Sequence, residues 1–393
     1  MNHWTPDDIP DQTGRTALIT GGNGGIGLET ARALARHGAR VILAGRSRTK
    51  LDQAAEAIRA ATPEARTDTL VLDLSDLSSV RDAATRIAET ETVDLLFNNA
   101  GVMNLPERRT THDGLEMTVG TNHLGHFAFN AQVWPAVRRS SAPRVVTVSA
   151  IAARWRMGKL DDLMSEKSYR AMGAYAKSKR ANIVYTLELA RRTASSPVEA
   201  LAVHPGSAMT GLQQHGTGTL SRMVTPIAAR LLMGSAEGAA WPSLYAATSP
   251  YVQPGRFIGP AGRDQTSGTP KPVKLPTGAD DPAEGRRLWT ASEQLTGVPF
   301  DLEAGAALQS PSSRVASTAL LHGVRERFTI GLDRTEGRNG ARKCAEERNL
   351  DFGLDGPVSA PRPRLARGFR AAEGPRAGSD RRADFRSGRT SAG

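Results

Sequence analysis

Thr16-Ala17-Leu18-Ile19-Thr20-Gly21-Gly22-Asn23-Gly24-Gly25-Ile26-Gly27 decides how the rest of the chain is read. Its first five residues are apolar or β-branched and fit a buried strand, a glycine-rich turn follows, and Gly25 to His37 has helical periodicity. A strand that delivers such a turn to a helix N-terminus makes a seat for a dinucleotide pyrophosphate, because the first N–H groups of the helix lack partners and its dipole favours anions. The glycines serve the backbone: Gly21 allows the tight turn, Gly25 lets the main chain approach the phosphates, and Gly27 lets helix and strand pack closely. Asn23 and Ile26 sit in the same loop and join these glycines as candidate cofactor contacts.

Outward from this stretch the pattern repeats. Candidate strands are Thr16 to Thr20, Arg40 to Ala44, Thr67 to Leu72, Val93 to Asn98, Arg144 to Ser149 and Val198 to His204, with a seventh around Arg256 to Gly259. Helical segments fall between them: Gly25 to His37, Ser47 to Ala60 with Ser47 as N-cap, Ser75 to Glu89, Gly114 to Arg139, Ser168 to Arg192, and one near Gly234 to Ala247. Strands alternating with helices predict an α/β fold, a doubly wound parallel sheet of the Rossmann type in a single domain, with ligands at the C-terminal ends of its strands. The Gly- and Thr-rich span from Ser207 to Met233 reads as a mobile segment over a pocket.

The second strand ends Ala44-Gly45-Arg46-Ser47. Dinucleotide sites that choose NAD(H) place an acid at this strand end to hold the ribose 2′-hydroxyl, and that acid repels a 2′-phosphate. Here Gly45 takes the acid's place and the guanidinium of Arg46 follows, which predicts NADP(H), with NAD(H) as the second choice.

Tyr175-Ala176-Lys177-Ser178-Lys179 puts Tyr175 and Lys179 on one face of a helix, while Lys177 points elsewhere. A free phenol titrates near 10, so a neighbouring ammonium together with an oxidised nicotinamide is expected to favour its phenolate and let it exchange protons with a substrate oxygen. Ser149, at the rim of the fifth strand, is expected to donate a hydrogen bond to that oxygen. Asn122 lies in the preceding long helix, in Thr121-Asn122-His123-Leu124-Gly125. His123 and His126 share a helix face without a third ligand, so helix packing is expected there and no metal site. His204, before the Pro205-Gly206 turn, is likewise read as a packing residue. The one cysteine, Cys344, can form no internal disulfide, and no Gly-x-Ser-x-Gly elbow appears beside a strand.

The Thr-Gly-x-x-x-Gly-x-Gly spacing together with Asn122, Ser149, Tyr175 and Lys179 resembles the short-chain dehydrogenase/reductase family. Asn122-His123-Leu124-Gly125-His126-Phe127, Ala181-Asn182, His204-Pro205-Gly206, Pro254 to Pro260 and Leu288 to Glu293 look most like its retinol dehydrogenase, protochlorophyllide reductase and WW-domain oxidoreductase branch. The resemblance spans about residues 10 to 303. It implies hydride transfer between a nicotinamide and a carbonyl or alcohol, with Tyr175 as general acid and base and Lys179 also on the ribose. Further implied cofactor contacts are Asp73 and Leu74 at the adenine, Asn99, Ala100 and Gly101 after the fourth strand, and Pro205, Gly206 and Thr210 at the carboxamide. Asn122 would support a water relay to Lys179, and the family's habit is a homodimer or homotetramer. The competing reading is a non-catalytic dinucleotide-binding regulator on the same fold.

Composition sets the boundaries. Hydrophobic residues are 39% and charged residues 23% of 393, enough for one large domain and a remainder. We read 1–13 as a polar lead, 14–303 as the catalytic domain, and 304–393 as an Arg- and Gly-rich disordered tail. Residues 304–393 hold 17 Lys+Arg against 10 Asp+Glu, so only +4 of the net +11 belongs to the first 303 residues. The basic excess is therefore a property of the tail, and nucleic-acid binding is not expected. With no run approaching the ~18 apolar residues of a membrane span, the expected setting is cytoplasmic, away from membranes. Met157, Leu160, Leu163, Met209 and Leu212 suggest an apolar substrate pocket.

Overall fold

A computed structural model of the chain describes residues 4–155, 159–206 and 235–304, all within the compact unit Met1–Thr329. Eight strands form one sheet: β1 (Thr16–Thr20), β2 (Arg40–Gly45), β3 (Thr67–Val71), β4 (Leu95–Asn98), β5 (Arg144–Val148), β6 (Glu199–Val203), β7 (Phe257–Pro260) and β8 (Pro270–Pro272). Their order is β3-β2-β1-β4-β5-β6-β7-β8. All neighbours are parallel except β7 and β8, which pair antiparallel in the register Ile258 to Pro272 and Gly259 to Lys271. The order reverses between β1 and β4, and a crevice opens there beyond the strand ends.

The helices are α1 (Gly25–Arg36), α2 (Arg48–Ala61), α3 (Leu77–Thr90), a single turn α4 (Met117–Val119), α5 (Gly125–Arg138), α6 (Ala171–Arg192), α7 (Ala236–Thr248) and α8 (Pro282–Thr296). Strand alternation sends side chains to two separate cores. Leu18, Ile42, Leu96 and Val145 face α3, α5, α6 and α8 on one side. Ala17, Ile19, Leu43, Phe97 and Val146 face α1, α2 and α7 on the other. Such burial on both faces explains why the strands read as continuous apolar runs.

The sequence-predicted strands and helices are present with shifted ends. Ser47 caps α2 by accepting from the Lys50 N–H at 3.4 Å. The helix expected from Gly114 instead starts at Met117, because Gly114 holds a positive φ of 79° in the preceding turn. It then passes through a π-helical turn, Gly120–Leu124, before α5 begins. Strand β8 and helix α8 were not expected from the sequence. The span read as a mobile segment, Ser207 to Met233, and the tail beyond Ala304 lie outside the described residues. Among the described residues no helix is long and apolar enough to cross a membrane.

Candidate active site

A cavity of about 550 Å³ opens at the C-terminal ends of β1, β2, β4, β5 and β6. One end is lined by the loop between β1 and α1, by Gly45 and Arg46, and by Leu72 to Leu74; the other by Ser149 to Ala152, Trp155, Met172, Tyr175 and Lys179.

The glycine loop is as tight as its sequence demands. Gly21 and Gly25 hold positive φ values of 67° and 52°, where a Cβ is strained. A Cβ on Gly27 would stand 2.4 Å from the Gly21 carbonyl oxygen and 2.5 Å from Asn99 Nδ2, so α1 can approach β1 only without a side chain there. A Cβ on Gly24, by contrast, would meet nothing within 4 Å. Thr20 ties this loop to the end of β4: its Oγ1 accepts from the backbone N–H groups of Asn99 (2.9 Å) and Ala100 (3.0 Å), and Asn99 Nδ2 donates to the Thr20 carbonyl at 2.7 Å. Asn99 thus shapes the cleft by holding backbone. A dinucleotide fits these residues: an open, Cβ-free edge at a helix N-terminus for the pyrophosphate, and flanking walls from Leu72 to Leu74 and Asn99 to Gly101. Asp73 Oδ1 accepts from Ser75 N–H at 2.9 Å and from Ser75 Oγ at 2.6 Å, which fixes the carboxylate at the adenine end.

Arg46 is exposed on the cavity rim and has no ion-pair or hydrogen-bond partner among the described residues, whereas nearby Arg48 pairs with Asp52 and Arg40 with Asp68 and Glu91. A Cβ at Gly45 would meet Asn23 Oδ1 at 2.9 Å, so Asn23 fills the place an acidic side chain would need.

At the other end, Tyr175 is 9% exposed and its hydroxyl has no partner among the described residues. Burial raises its pKa to about 12. The Lys179 Nζ lies 5.8 Å from the centre of the phenol ring and donates to the Val148 carbonyl at 2.9 Å. Burial lowers Lys179 itself to about 8. Ser149 lines the cavity, and its Oγ donates to the Lys179 backbone carbonyl at 2.7 Å with the residue 1% exposed. Asn122 is buried behind the wall, its Oδ1 accepting from Val102 N–H at 2.7 Å and its Nδ2 donating to the Val102 carbonyl and to Ser178 Oγ, both at 2.9 Å. It brackets the end of β4 against α6. The Asn122 carbonyl accepts from His126 Nδ1 at 3.0 Å, so the ring proton sits on Nδ1 and Nε2 accepts from Thr20 Oγ1 at 2.8 Å.

Pro205 and Gly206 line the cavity as expected, with Gly206 at φ 78° and no room for a Cβ, which would stand 2.3 Å from the Thr266 carbonyl oxygen. Thr210, Met157, Met209 and Leu212 lie outside the described residues. Leu160 and Leu163 pack on the core beneath α6 and do not line the cavity. Lys177 is buried, donating to Ser165 Oγ at 2.8 Å and to the Asp162 carbonyl at 2.5 Å, and so fastens the segment before α6. The apolar wall around Tyr175 comes from Met103, Ala150, Ala152 and Met172, none of them singled out from sequence. His123 and His204 are packed as expected, bonded to Ser292 Oγ and Gln265 Oε1 at 2.9 Å each.

Comparison with known proteins agrees with this architecture. The profile of the short chain dehydrogenase family matches residues 15–219. Human (Homo sapiens) retinol dehydrogenase 13 is 38% identical over 77% of this chain and 89% of its own length, and mouse (Mus musculus) retinol dehydrogenase 12 is 36% identical over 73% and 88%. A crystal structure from Mycobacterium Paratuberculosis aligns with a TM-score of 0.62 at 39% identity, covering 77% of this chain and all of that one. A Beutenbergia cavernae structure with NADP bound at low occupancy aligns at 0.51 with 26% identity, over 62% and 94%.

Proposed function

The chain belongs to the short-chain dehydrogenase family, oxidoreductases that move hydride between NAD(P)(H) and CH–OH or carbonyl groups, and from that premise we propose an NADPH-preferring reductase of apolar carbonyls. The observation that carries the reading is Tyr175: an unpartnered phenol at the wall of the cavity, ringed by Met103, Ala150, Ala152 and Met172, beside a buried lysine.

The nicotinamide, when bound, supplies the hydride. As the new C–H bond forms on the carbonyl carbon, the Tyr175 O–H gives its proton to the carbonyl oxygen and the product is the alcohol. A phenol held near 12 stays protonated at neutral pH, which suits a proton donor. The phenolate left behind is opposed by the Lys179 ammonium and regains a proton from water. Lys179 has N–H groups beyond the one on Val148 with which to hold ribose hydroxyls. Arg46 is the residue that would meet a 2′-phosphate.

Replacing the proton donor tests this directly. Tyr175→Phe is expected to lose at least ~10²-fold in kcat while NADPH binding, followed by fluorescence titration, changes little. A variant that keeps more than about a tenth of the wild-type kcat would exclude Tyr175 as the acid.

A further inference from the structure

Ser149 and Ala150 follow the end of β5 and lead into the Ile151–Arg154 turn, and their side chains have different surroundings. The strand register continues through Ser149, whose N–H donates to the Val203 carbonyl at 2.7 Å. Its hydroxyl is turned to α6 and donates to the Lys179 carbonyl, with almost no exposure. The chain then leaves the strand, and Ala150, with Met103 and Met172, packs against the cluster formed by Ala152, Tyr175 and Ala176. Both residues border the cavity, yet the one beside the phenol carries a methyl group and the one with a hydroxyl uses it on a helix.

We propose that Tyr175 works without a side-chain hydroxyl partner from this strand: Ser149 secures the helix turn that bears Lys179, and Ala150 is the position that sets how strongly the developing alkoxide is held. The inference rests on Tyr175 being the proton donor. Met103, Ala152, Met172 and Ala176, which cluster with Tyr175 and Ala150, carry no hydrogen-bonding side-chain group apart from the thioethers, so a hydroxyl at position 150 would add a donor on this side of the phenol. A preorganised donor to a developing oxyanion typically changes kcat by ~10² to 10³-fold. Even a partly aligned hydroxyl at position 150 should therefore raise turnover measurably. Ala150 is half-buried, and serine adds one oxygen to it, so the fold should accept the change.

Two single variants and the exchange of the pair decide the matter, assayed with NADPH and a medium-chain aldehyde such as octanal. Ala150→Ser is expected to raise kcat about tenfold or more with an unchanged NADPH Kd. Ser149→Ala is expected to lower Tm while keeping kcat within about tenfold of wild type, and the double variant Ser149→Ala/Ala150→Ser should regain the gain in kcat. A 100-fold loss of kcat in Ser149→Ala, with Tm and NADPH Kd unmoved, would overturn the assignment and make Ser149 a direct donor to substrate. No gain in Ala150→Ser would also overturn it. Tyr175→Phe reports separately on the underlying reading: inactivity of that variant alongside an unresponsive Ala150→Ser rejects this inference alone.

Discussion

Arg46 is the residue on which cofactor choice is proposed to turn. Its guanidinium is unpaired among the described residues on the rim, and a Cβ at Gly45 would press on Asn23 Oδ1. A charged hydrogen-bond pair is worth about 1.5–3 kcal/mol, so Arg46→Ala should weaken NADPH by roughly 10- to 150-fold and leave NADH nearly unchanged. Measuring kcat/KM for both cofactors in both proteins checks this; a wild type that prefers NADH would reduce Arg46 to a solvated strand end. The place of Arg46 on the cavity rim was legible in the sequence because a strand-end position suffices to read it. The direction of the Ser149 hydroxyl was not: which way a residue points after the last ladder bond depends on the register of β5 on β6, and a single sequence carries no register. Asn122 likewise reveals its role only through Val102 and Ser178, which are 20 and 56 residues away.

The element that ties the site together is the π turn with the start of α5, which carries His123 and His126. Burial lowers His126 to about 3 and His123 to about 4, and just after β6 burial lowers His204 to about 4. In the unfolded chain all three take up a proton near 6.5. Between that value and about 4 the unfolded state binds more protons, so stability rises with pH across this window and is lost as pH falls through it. Each buried imidazole contributes up to about 1.4 kcal/mol per pH unit. The urea midpoint should therefore drop steeply from pH 7 to pH 5, and His126→Gln should make that drop shallower. A midpoint independent of pH over this range would mean that the histidines are not buried neutral. Periodicity found most elements, since β1 to β6 are short apolar runs and the helices carry apolar faces. It missed α8 although Asp281 and Pro282 mark a helix start and Gly297, at φ 66°, a stop. It missed β8 for a sounder reason, because Pro270-Lys271-Pro272 reads as loop by every local rule.

On the scale of the whole chain, every strand and helix described, and every residue of both cores among the described residues, lies before Ala304. Leu302 is tied to that frame: its carbonyl accepts from Trp134 Nε1 at 3.0 Å and from Arg138 at 2.6 Å. A protein ending after Ala304 is expected to fold and keep its kcat/KM within about twofold, while its net charge falls to near +4. Lost activity in that truncation, measured at equal folded concentration, would show that the basic segment takes part in the site or in assembly.

The two prolines of β8 also decide how copies of this protein can meet. Val273 N–H donates to the Phe257 carbonyl at 2.8 Å, so the amide of Lys271, two residues back, turns to β7 as well. The nitrogens of Pro270 and Pro272 must then face outward, and neither carries a hydrogen. This margin offers an incoming strand carbonyls to donate to but no N–H groups of β8 to accept, which guards it against edge-to-edge aggregation and domain-swapped ribbons. Any dimer that uses this side of the molecule has to form through side chains, with no continuous sheet running from one subunit into the next.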